Sequence, residues 1–205
     1  MRAATTHLRH ADPAFAALIA QVGRCTLVPD RTQQPYEALV RAVAHQQLHG
    51  KAARRILERF LGLYPDGAFP SPAMLLASSD EALRGVGFSA AKVAAIRDIA
   101  ANTATGVVPD RRHACRLSDA TLIERLTAIR GVGRWTVEML LIFVLGRPDV
   151  LPVDDFGVRE GYRRLYRLAE QPRPRELAAI GEAWAPFRST AAWYLWRAVE
   201  TLQPA

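Results

Sequence analysis

Hydrophobic residues along this chain recur mostly every three or four positions, which is the spacing that lines one face of an α-helix. Between residues 36 and 47 the apolar stripe consists of Leu39, Val40, Val43 and Ala44. Comparable helical patterns occur in further segments, namely residues 52–62, 71–78, 80–87, 89–106 and 118–129. This spacing outweighs the strict alternation that is typical of strands. The pattern therefore predicts a chain built mainly of helices.

Local signals at the ends of these segments support the same prediction. Ser71, Ser89 and Ser118 each precede an apolar-periodic run, where a serine hydroxyl can cap a helix by accepting from a free backbone N–H. Residues 176–201 have a helical pattern with one break near a proline. Residues 150–153 are the candidate for an extended segment, because their proline disfavours helix. The predicted fold class is all-α.

Length and charge narrow the function. The chain has 205 residues, half of them hydrophobic, which is enough for one core or for two small lobes that share one. Its formal net charge of +7 favours an anionic partner, with nucleic acid first and a membrane surface second. A GC-rich genome is the alternative explanation, because Lys51 and Lys92 are the only lysines among the 27 basic residues.

Other function classes receive no support from the sequence. Two cysteines, Cys25 and Cys115, are too few for a four-cysteine iron–sulfur cluster or zinc site. The first residues lack the apolar core of an export signal, and no apolar run reaches the roughly 18 residues of a membrane span. We therefore expect a cytoplasmic protein without a membrane partner and without a metal site.

The stretch "IRGVGRWTVEML", residues 129–140, places two glycines between two predicted helices. Such a hairpin leaves the first N–H groups of the second helix free and unobstructed by Cβ atoms. A phosphate can approach those N–H groups closely, and the helix dipole favours its negative charge. The alternative is an ordinary helical turn in which the glycines only allow a tight bend. The sequence thus predicts that this hairpin is a candidate contact for the phosphate backbone of a nucleic acid.

Two aspartates, Asp154 and Asp155, follow Pro152 and precede another predicted helix. The helix dipole and free N–H donors favour the ionised form of a carboxylate at this position. A fixed carboxylate suits a reaction with cationic character, because it can stabilise an oxocarbenium-like sugar or orient the attacking water. In the alternative interpretation both aspartates simply cap the helix.

Several motifs together resemble one family. The segments "GVGRWT", "LPVDDFGVREG", "HLRHADPAFAALIAQVG" and "YEALVRAVAHQQLHGKAARRI" look like the AlkA-type 3-methyladenine DNA glycosylase II branch of the helix-hairpin-helix DNA glycosylase superfamily. The resemblance implies two helical lobes with an active-site cleft between them that holds DNA and a flipped base. We expect the hairpin lobe over residues 36–150 and the terminal lobe over residues 1–35 and 151–205.

The resemblance also assigns roles to individual residues. A gap-free match from the hairpin makes Asp155 the catalytic carboxylate, with Asp154 as the second choice or as a capping or positioning neighbour. Base-pocket residues are expected at Trp135, Trp196 and Met139, whereas Trp184 and Trp193 are expected in the core. The expected phosphate-binding hairpin consists of Gly131, Val132, Gly133, Arg134 and Thr136. The residue that fills the gap left by the flipped base is expected among Gln47, Leu48 and His49.

The chemistry implied is that of a monofunctional enzyme. Relatives that nick DNA carry a lysine nucleophile where this chain has Trp135, which cannot form an imine. N-alkylated purines such as 3-methyladenine and 7-methylguanine are cationic, so an indole face attracts them and the base leaves readily. We therefore expect a monomer that excises alkylated purines from double-stranded DNA during base excision repair and leaves an abasic site.

Two other functions remain open from the sequence. A non-catalytic helix-hairpin-helix DNA-binding module would explain the charge and the hairpin, but not the aspartates or the paired tryptophans. A bifunctional glycosylase for oxidised bases would form a covalent complex that borohydride traps, which we expect to be absent. No cofactor is expected to be required. The resemblance also allows a monovalent cation at the carbonyls of the hairpin.

Overall fold

The computed structural model describes residues 2–46 and 50–203, and no strand occurs within these ranges. The prediction of an all-α fold is confirmed. The α-helices of the described residues are α1 (Arg2–Ala11), α2 (Pro13–Val22), α3 (Pro35–His45), α4 (Gly50–Leu61), α5 (Pro72–Ala77), α6 (Asp80–Gly85), α7 (Ala90–Ala104), α8 (Arg111–Ala114), α9 (Asp119–Thr127), α10 (Arg134–Leu140), α11 (Phe156–Tyr166), α12 (Pro174–Gly181) and α13 (Arg188–Thr201). Shorter turns of 3₁₀- and π-helix lie at Pro65–Gly67, Glu182–Trp184 and Leu141–Leu145.

Side-chain capping explains where several helices begin. The hydroxyls of Ser71, Ser89 and Ser118 each accept from the backbone N–H three residues further on, at the starts of α5, α7 and α9. Each bond satisfies one of the donors that the first helical turn leaves without a partner. The three predicted caps are therefore confirmed. Residues 150–153 form a loop rather than a strand.

The chain divides into two compact units. The terminal unit comprises Met1–Pro29 and Leu141–Ala205, and the hairpin unit comprises Asp30–Leu140. The expected lobe boundary at residue 150 is therefore too late. The reason lies in the bonds of α13, because the Ser189 hydroxyl donates to the Arg147 carbonyl at 2.7 Å and accepts from the Val150 N–H at 3.0 Å. These bonds hold the loop before residue 150 within the terminal unit.

Helices α11 and α13 pack closely in the terminal unit. A Cβ atom at Gly161 would lie 1.9 Å from the Leu195 carbonyl oxygen, so only glycine allows the two backbones to approach this closely. Large apolar side chains fill the surrounding core, and they include Leu8, Phe15, Leu18, Val158, Leu177, Trp184, Trp193 and Tyr194. The core placement predicted for Trp184 and Trp193 is confirmed. The close crossing fixes the part of α13 that faces the start of α11.

The hairpin unit is organised around α7, which packs against α3 and α5, while α10 packs against α3 and α9. Its buried apolar side chains include Leu39, Val40, Val43, Phe60, Leu75, Ile96, Ile99, Leu122, Leu126, Ile129 and Val137. The apolar stripe predicted for α3 and the apolar positions of the helical pattern over residues 118–129 thus lie on the buried faces of α3 and α9. The loop between α9 and α10, residues 128–133, contains the glycine pair.

Candidate functional site

Asp155 caps the N-terminus of α11. Its Oδ1 atom accepts a hydrogen bond from the Val158 N–H at 2.8 Å, and its backbone has the extended conformation of an N-cap. The preceding turn is closed by a bond from the Asp155 N–H to the Pro152 carbonyl at 3.0 Å. Because the cap and the turn fix the main chain on both sides of Cα, the carboxylate is held in one orientation near the positive end of a helix dipole.

Trp196 on α13 is a second partner of that carboxylate. Its indole Nε1–H donates to Oδ1 of Asp155 at 2.8 Å. The ring also stacks on Phe143, with ring centroids 5.5 Å apart and an angle of 28° between planes. The sequence assigned Trp196 to the base pocket, but it gave no indication that this side chain also holds the aspartate. One residue thus contacts both the candidate catalytic group and an aromatic neighbour.

Gly157 makes room for this contact. A Cβ atom there would lie 2.9 Å from Cδ1 of Trp196 and 3.2 Å from Oδ1 of Asp155. Any larger residue would have to push the indole away from the carboxylate. Gly157 and Gly161 are one helical turn apart on α11, so they form a continuous small face toward α13. Their role was missed from the sequence, although the G-x-x-x-G spacing in "FGVREG" could have indicated it.

Asp154 differs from its neighbour. Its side chain is exposed, and the N-cap of α11 is Asp155 instead. The expectation that Asp154 caps the helix is therefore wrong, because the turn that starts at Pro152 brings the second aspartate of the pair to the free N–H groups.

Two exposed aromatic residues lie beside these groups and were also missed. Phe156 follows Asp155 directly and is 70% exposed. Phe143 lies in the π-helical turn Leu141–Leu145 and keeps an exposed ring while its neighbours Ile142 and Val144 are buried. The apolar stripe of α10 could have shown that position 143 falls off the buried face. Exposed large aromatics next to a fixed carboxylate offer surfaces on which a planar base can stack.

The two glycines of the hairpin have different roles. Gly131 has φ +77, and a Cβ atom on it would lie 2.6 Å from the Cβ atom of Ala95 on α7. It is therefore required by the turn and by packing inside the unit. Gly133 has no left-handed φ, and a Cβ atom placed on it would meet no atom within 4 Å, so its surroundings are open. The open glycine is the one whose backbone an incoming group can approach.

Free backbone donors accompany Gly133. The helical segment that runs through α10 begins at Gly133. Within the described part of the chain, no acceptor is found for the backbone N–H groups of Gly133, Arg134 and Thr136. The Gly133 carbonyl accepts from the Val137 N–H at 3.2 Å and so starts the helical ladder. Such donors at a helix start suit an anion such as a phosphate.

The side chains of the other hairpin residues point elsewhere. Val132 and Thr136 are buried, so they can offer only backbone groups to a ligand. The Arg134 guanidinium donates to Oε1 of the buried Glu138 at 2.9 Å, which ties it to the next turn of α10. Trp135 is an exposed large aromatic on the same helix, and Met139 lies one turn further on and is half-buried.

The residues expected to fill the gap left by a flipped base, Gln47, Leu48 and His49, lie outside the described residues. The residue before them is anchored, since the Gln46 side-chain amide donates to the Gly131 carbonyl at 3.1 Å.

A monovalent cation at the hairpin would have to share carbonyls that already accept a hydrogen bond, namely those of Ile129, Gly131 and Gly133. Among the described residues, no group of three or more potential metal-ligating side chains is found, and no helix is long and apolar enough to cross a membrane.

Comparison with known proteins matches this chain to one family. The model of the HhH-GPD superfamily of base excision DNA repair proteins matches residues 40–186. DNA-3-methyladenine glycosylase 1 of Schizosaccharomyces pombe is 47% identical over 197 residues, covering 95% of this chain and 86% of the relative. The alkylbase DNA glycosidase-like protein mag2 of the same organism is 34% identical over 195 residues, covering 95% and 92%.

Solved structures give the same result. The Schizosaccharomyces pombe 3-methyladenine DNA glycosylase (Mag1) in complex with abasic DNA has a TM-score of 0.87 at 47% identity, covering 95% of each chain. The DNA-3-methyladenine glycosidase of Bacillus halodurans has a TM-score of 0.75 at 36% identity, covering 93% of this chain and 90% of the other. The chain belongs to the HhH-GPD superfamily of base excision DNA repair proteins, as the sequence motifs predicted.

Proposed function

We propose that this protein is a monofunctional DNA glycosylase that excises alkylated purines, such as 3-methyladenine and 7-methylguanine, from double-stranded DNA and leaves an abasic site. The observation that carries the proposal is the Asp155 carboxylate, held at the start of α11 by the Val158 N–H and the Trp196 indole. The close relatives named for 3-methyladenine excision support the substrate class.

The proposed reaction is hydrolysis of the N-glycosidic bond. The bond between C1′ and the base nitrogen breaks, and its electron pair leaves with the base. Water then adds to C1′ and loses a proton, so an abasic sugar remains. Positive charge develops on the sugar during this step, and a preoriented carboxylate stabilises it without having to reorganise. The hydrogen bonds from Val158 and Trp196 already orient the Asp155 carboxylate in the free protein, so it can stabilise this charge without moving.

A cationic purine needs little acid catalysis. Alkylation at N3 or N7 places positive charge on the base, so the base leaves as a neutral molecule. The same charge attracts an electron-rich aromatic face by roughly 0.5–2 kcal/mol, depending on desolvation. The exposed rings of Phe143, Phe156 and Trp135 are surfaces of this kind. We propose that each of these rings, like the stacked ring of Trp196, favours a cationic base over a neutral one.

The lysines support a single hydrolytic activity. Bifunctional relatives cleave the strand with a lysine amine that forms an imine with the sugar. Lys51 and Lys92 are the only lysines, and the Lys92 ammonium is held by two backbone carbonyls on α3 and just beyond it, at 2.9 and 2.8 Å. No cofactor takes part in the proposed step. Because the proposed substrate is DNA, we also propose that the protein acts in the cytoplasm, at the bacterial nucleoid.

The test is release of free bases from methylated duplex DNA, with the products identified by chromatography. We expect 3-methyladenine and 7-methylguanine to appear, and the DNA strand to stay intact until alkali is added. Borohydride should trap no covalent complex. DNA binding without base release under any condition would leave only the non-catalytic binding module, and a trapped complex would indicate the bifunctional alternative.

A further inference from the structure

Three residues of α7 point at the segments that surround the hairpin. Lys92, Ala95 and Asp98 lie three positions apart, on successive turns and on one face of the helix. We call these three residues the α7 platform. Each one makes a different kind of contact, and none of them was assigned a role from the sequence.

Ala95 sets the depth at which the hairpin packs. The Cβ atom of Ala95 is the nearest atom to the side-chain position of Gly131, at 2.6 Å from an ideal Cβ. The tight turn therefore rests directly on a small side chain, and Ala95 is itself buried. A larger residue at either position would lift the hairpin from α7.

Asp98 fixes the start of the turn. Its Oδ2 atom accepts a hydrogen bond from the Arg130 N–H at 2.8 Å. The other carboxylate oxygen accepts from the side-chain amide of Asn102 at 3.2 Å, which holds the aspartate in place. A charged acceptor makes a stronger bond to a backbone N–H than a neutral one does. The residue before Gly131 is thus tied to α7.

Lys92 holds the hairpin indirectly, through the end of α3. Its ammonium donates to the Ala44 carbonyl at 2.9 Å and to the Gln46 carbonyl at 2.8 Å. The last carbonyls of a helix lack partners within the helix, and a cation there is favoured by the dipole. Partial burial lowers the pKa of Lys92, as expected for an ammonium withdrawn from water. Gln46, held in this way, donates to the Gly131 carbonyl.

We propose that the α7 platform sets the geometry in which the hairpin presents its free N–H groups to a DNA phosphate, with Lys92 and Asp98 as positioning residues for DNA binding. Neither side chain has to touch DNA. The inference rests on the proposed function, because it presumes that the hairpin binds the DNA backbone.

The first experiment measures affinity for a duplex with an abasic-site analogue, by fluorescence anisotropy, together with thermal stability. We expect Lys92→Met and Asp98→Ala to weaken binding roughly tenfold, since each leaves a fixed backbone group without its partner. Lys92→Arg and Asp98→Asn keep a donor or an acceptor and should recover most of the affinity. Conservative variants that bind as poorly as the truncated ones would overturn the positioning role.

The second experiment is a double-mutant cycle with Gly133→Ala, which obstructs the phosphate side of the hairpin. If Asp98 acts through the hairpin, the loss in the double variant should be clearly smaller than the product of the two single losses. Multiplicative losses would show that Asp98 acts elsewhere. A lower melting temperature with unchanged affinity would show a structural role only, and it would also overturn the proposal.

The outcomes separate this inference from the function on which it rests. If Gly133→Ala leaves DNA affinity unchanged, the hairpin does not bind phosphate, and both the hairpin role and the platform fail. If Gly133→Ala weakens binding while the α7 variants do not, only the platform fails. Base release by the wild-type protein, measured in the same preparations, reports on the glycosylase activity independently.

Discussion

The indole N–H of Trp196 donates to the Asp155 carboxylate at 2.8 Å, although the two residues are 41 positions apart in the chain. Two glycines on α11 allow this contact, because Gly161 lets α13 approach and Gly157 leaves space for the indole ring. The carboxylate is therefore oriented by an N–H from its own helix and by a side chain from another. This arrangement makes separate predictions for the aspartate and for the tryptophan.

Asp155→Asn should keep the fold and DNA binding while excision falls roughly 10²–10³-fold, the cost of losing one well-placed electrostatic group. Asparagine is a good N-cap and can still accept from Val158 and Trp196, so the melting temperature should change little. Measurements of the single-turnover excision rate and of the affinity for DNA test this prediction. Asp154→Asn is the matched control, because Asp154 is exposed and does not cap α11. If Asp154→Asn abolished excision while Asp155→Asn remained active, Asp154 rather than Asp155 would be the catalytic carboxylate.

Trp196→Phe should separate the two roles of the tryptophan. The variant keeps a ring that can stack on Phe143 but removes the N–H donor to Asp155. Loss of a hydrogen bond to a charged group costs about 1.5–3 kcal/mol, so excision should fall roughly 10–100-fold while binding to abasic duplex is retained. Wild-type excision by this variant would mean that the hydrogen bond is dispensable and that only stacking matters.

Trp135→Ala should impair excision of 7-methylguanine or 3-methyladenine more than it impairs binding to an abasic duplex. The reason is that an abasic site offers no base to stack, whereas a cationic purine gains from the indole face. The buried Trp184 provides the contrast, because Trp184→Ala should lower the melting temperature strongly. Equal losses of excision and abasic-site binding in Trp135→Ala would mark Trp135 as structural.

Gly131→Ala and Gly133→Ala should differ in their effect on thermal stability. The left-handed φ of Gly131 costs alanine about 1–2 kcal/mol, and the collision with Ala95 adds about 1–3 kcal/mol of overpacking. Gly131→Ala should therefore lower the melting temperature, whereas Gly133→Ala should leave it unchanged and weaken DNA binding with little sequence preference. Wild-type affinity should also fall steeply with salt. A flat salt response would contradict phosphate binding.

Glu160 should give the terminal unit an acid-sensitive stability. Hydrogen bonds from Arg163, then Arg164 and then Gln171 hold the pKa of this carboxyl well below its usual range. Because the folded pKa is depressed, the stabilisation is present above the unfolded pKa of about 4.5 and is lost progressively as the pH falls below it. Denaturant unfolding between pH 6 and pH 3 should show this loss, and Glu160→Gln should flatten the pH dependence. An unchanged slope in the variant would contradict it.

The sequence by itself determined the elements and the chemistry that is local to them. Periodic apolar residues and capping serines depend on neighbours three or four positions away, so the all-α class, the caps of α5, α7 and α9 and the buried stripes could be read directly. The motif around Asp155 lies within one turn and one helix start, so its location was also predictable. A helical chain with this hairpin and this aspartate is already specified by short-range interactions.

Only the tertiary structure decided what depends on residues far apart in the chain. Which hairpin glycine is open and which side chain holds the carboxylate both follow from helix crossings. Those crossings are set by atoms such as the Leu195 carbonyl and the Ala95 Cβ. Packing of this kind is a property of two surfaces together, and periodicity along one segment shows only that a surface exists. The partner of each surface appears only once the helices are packed.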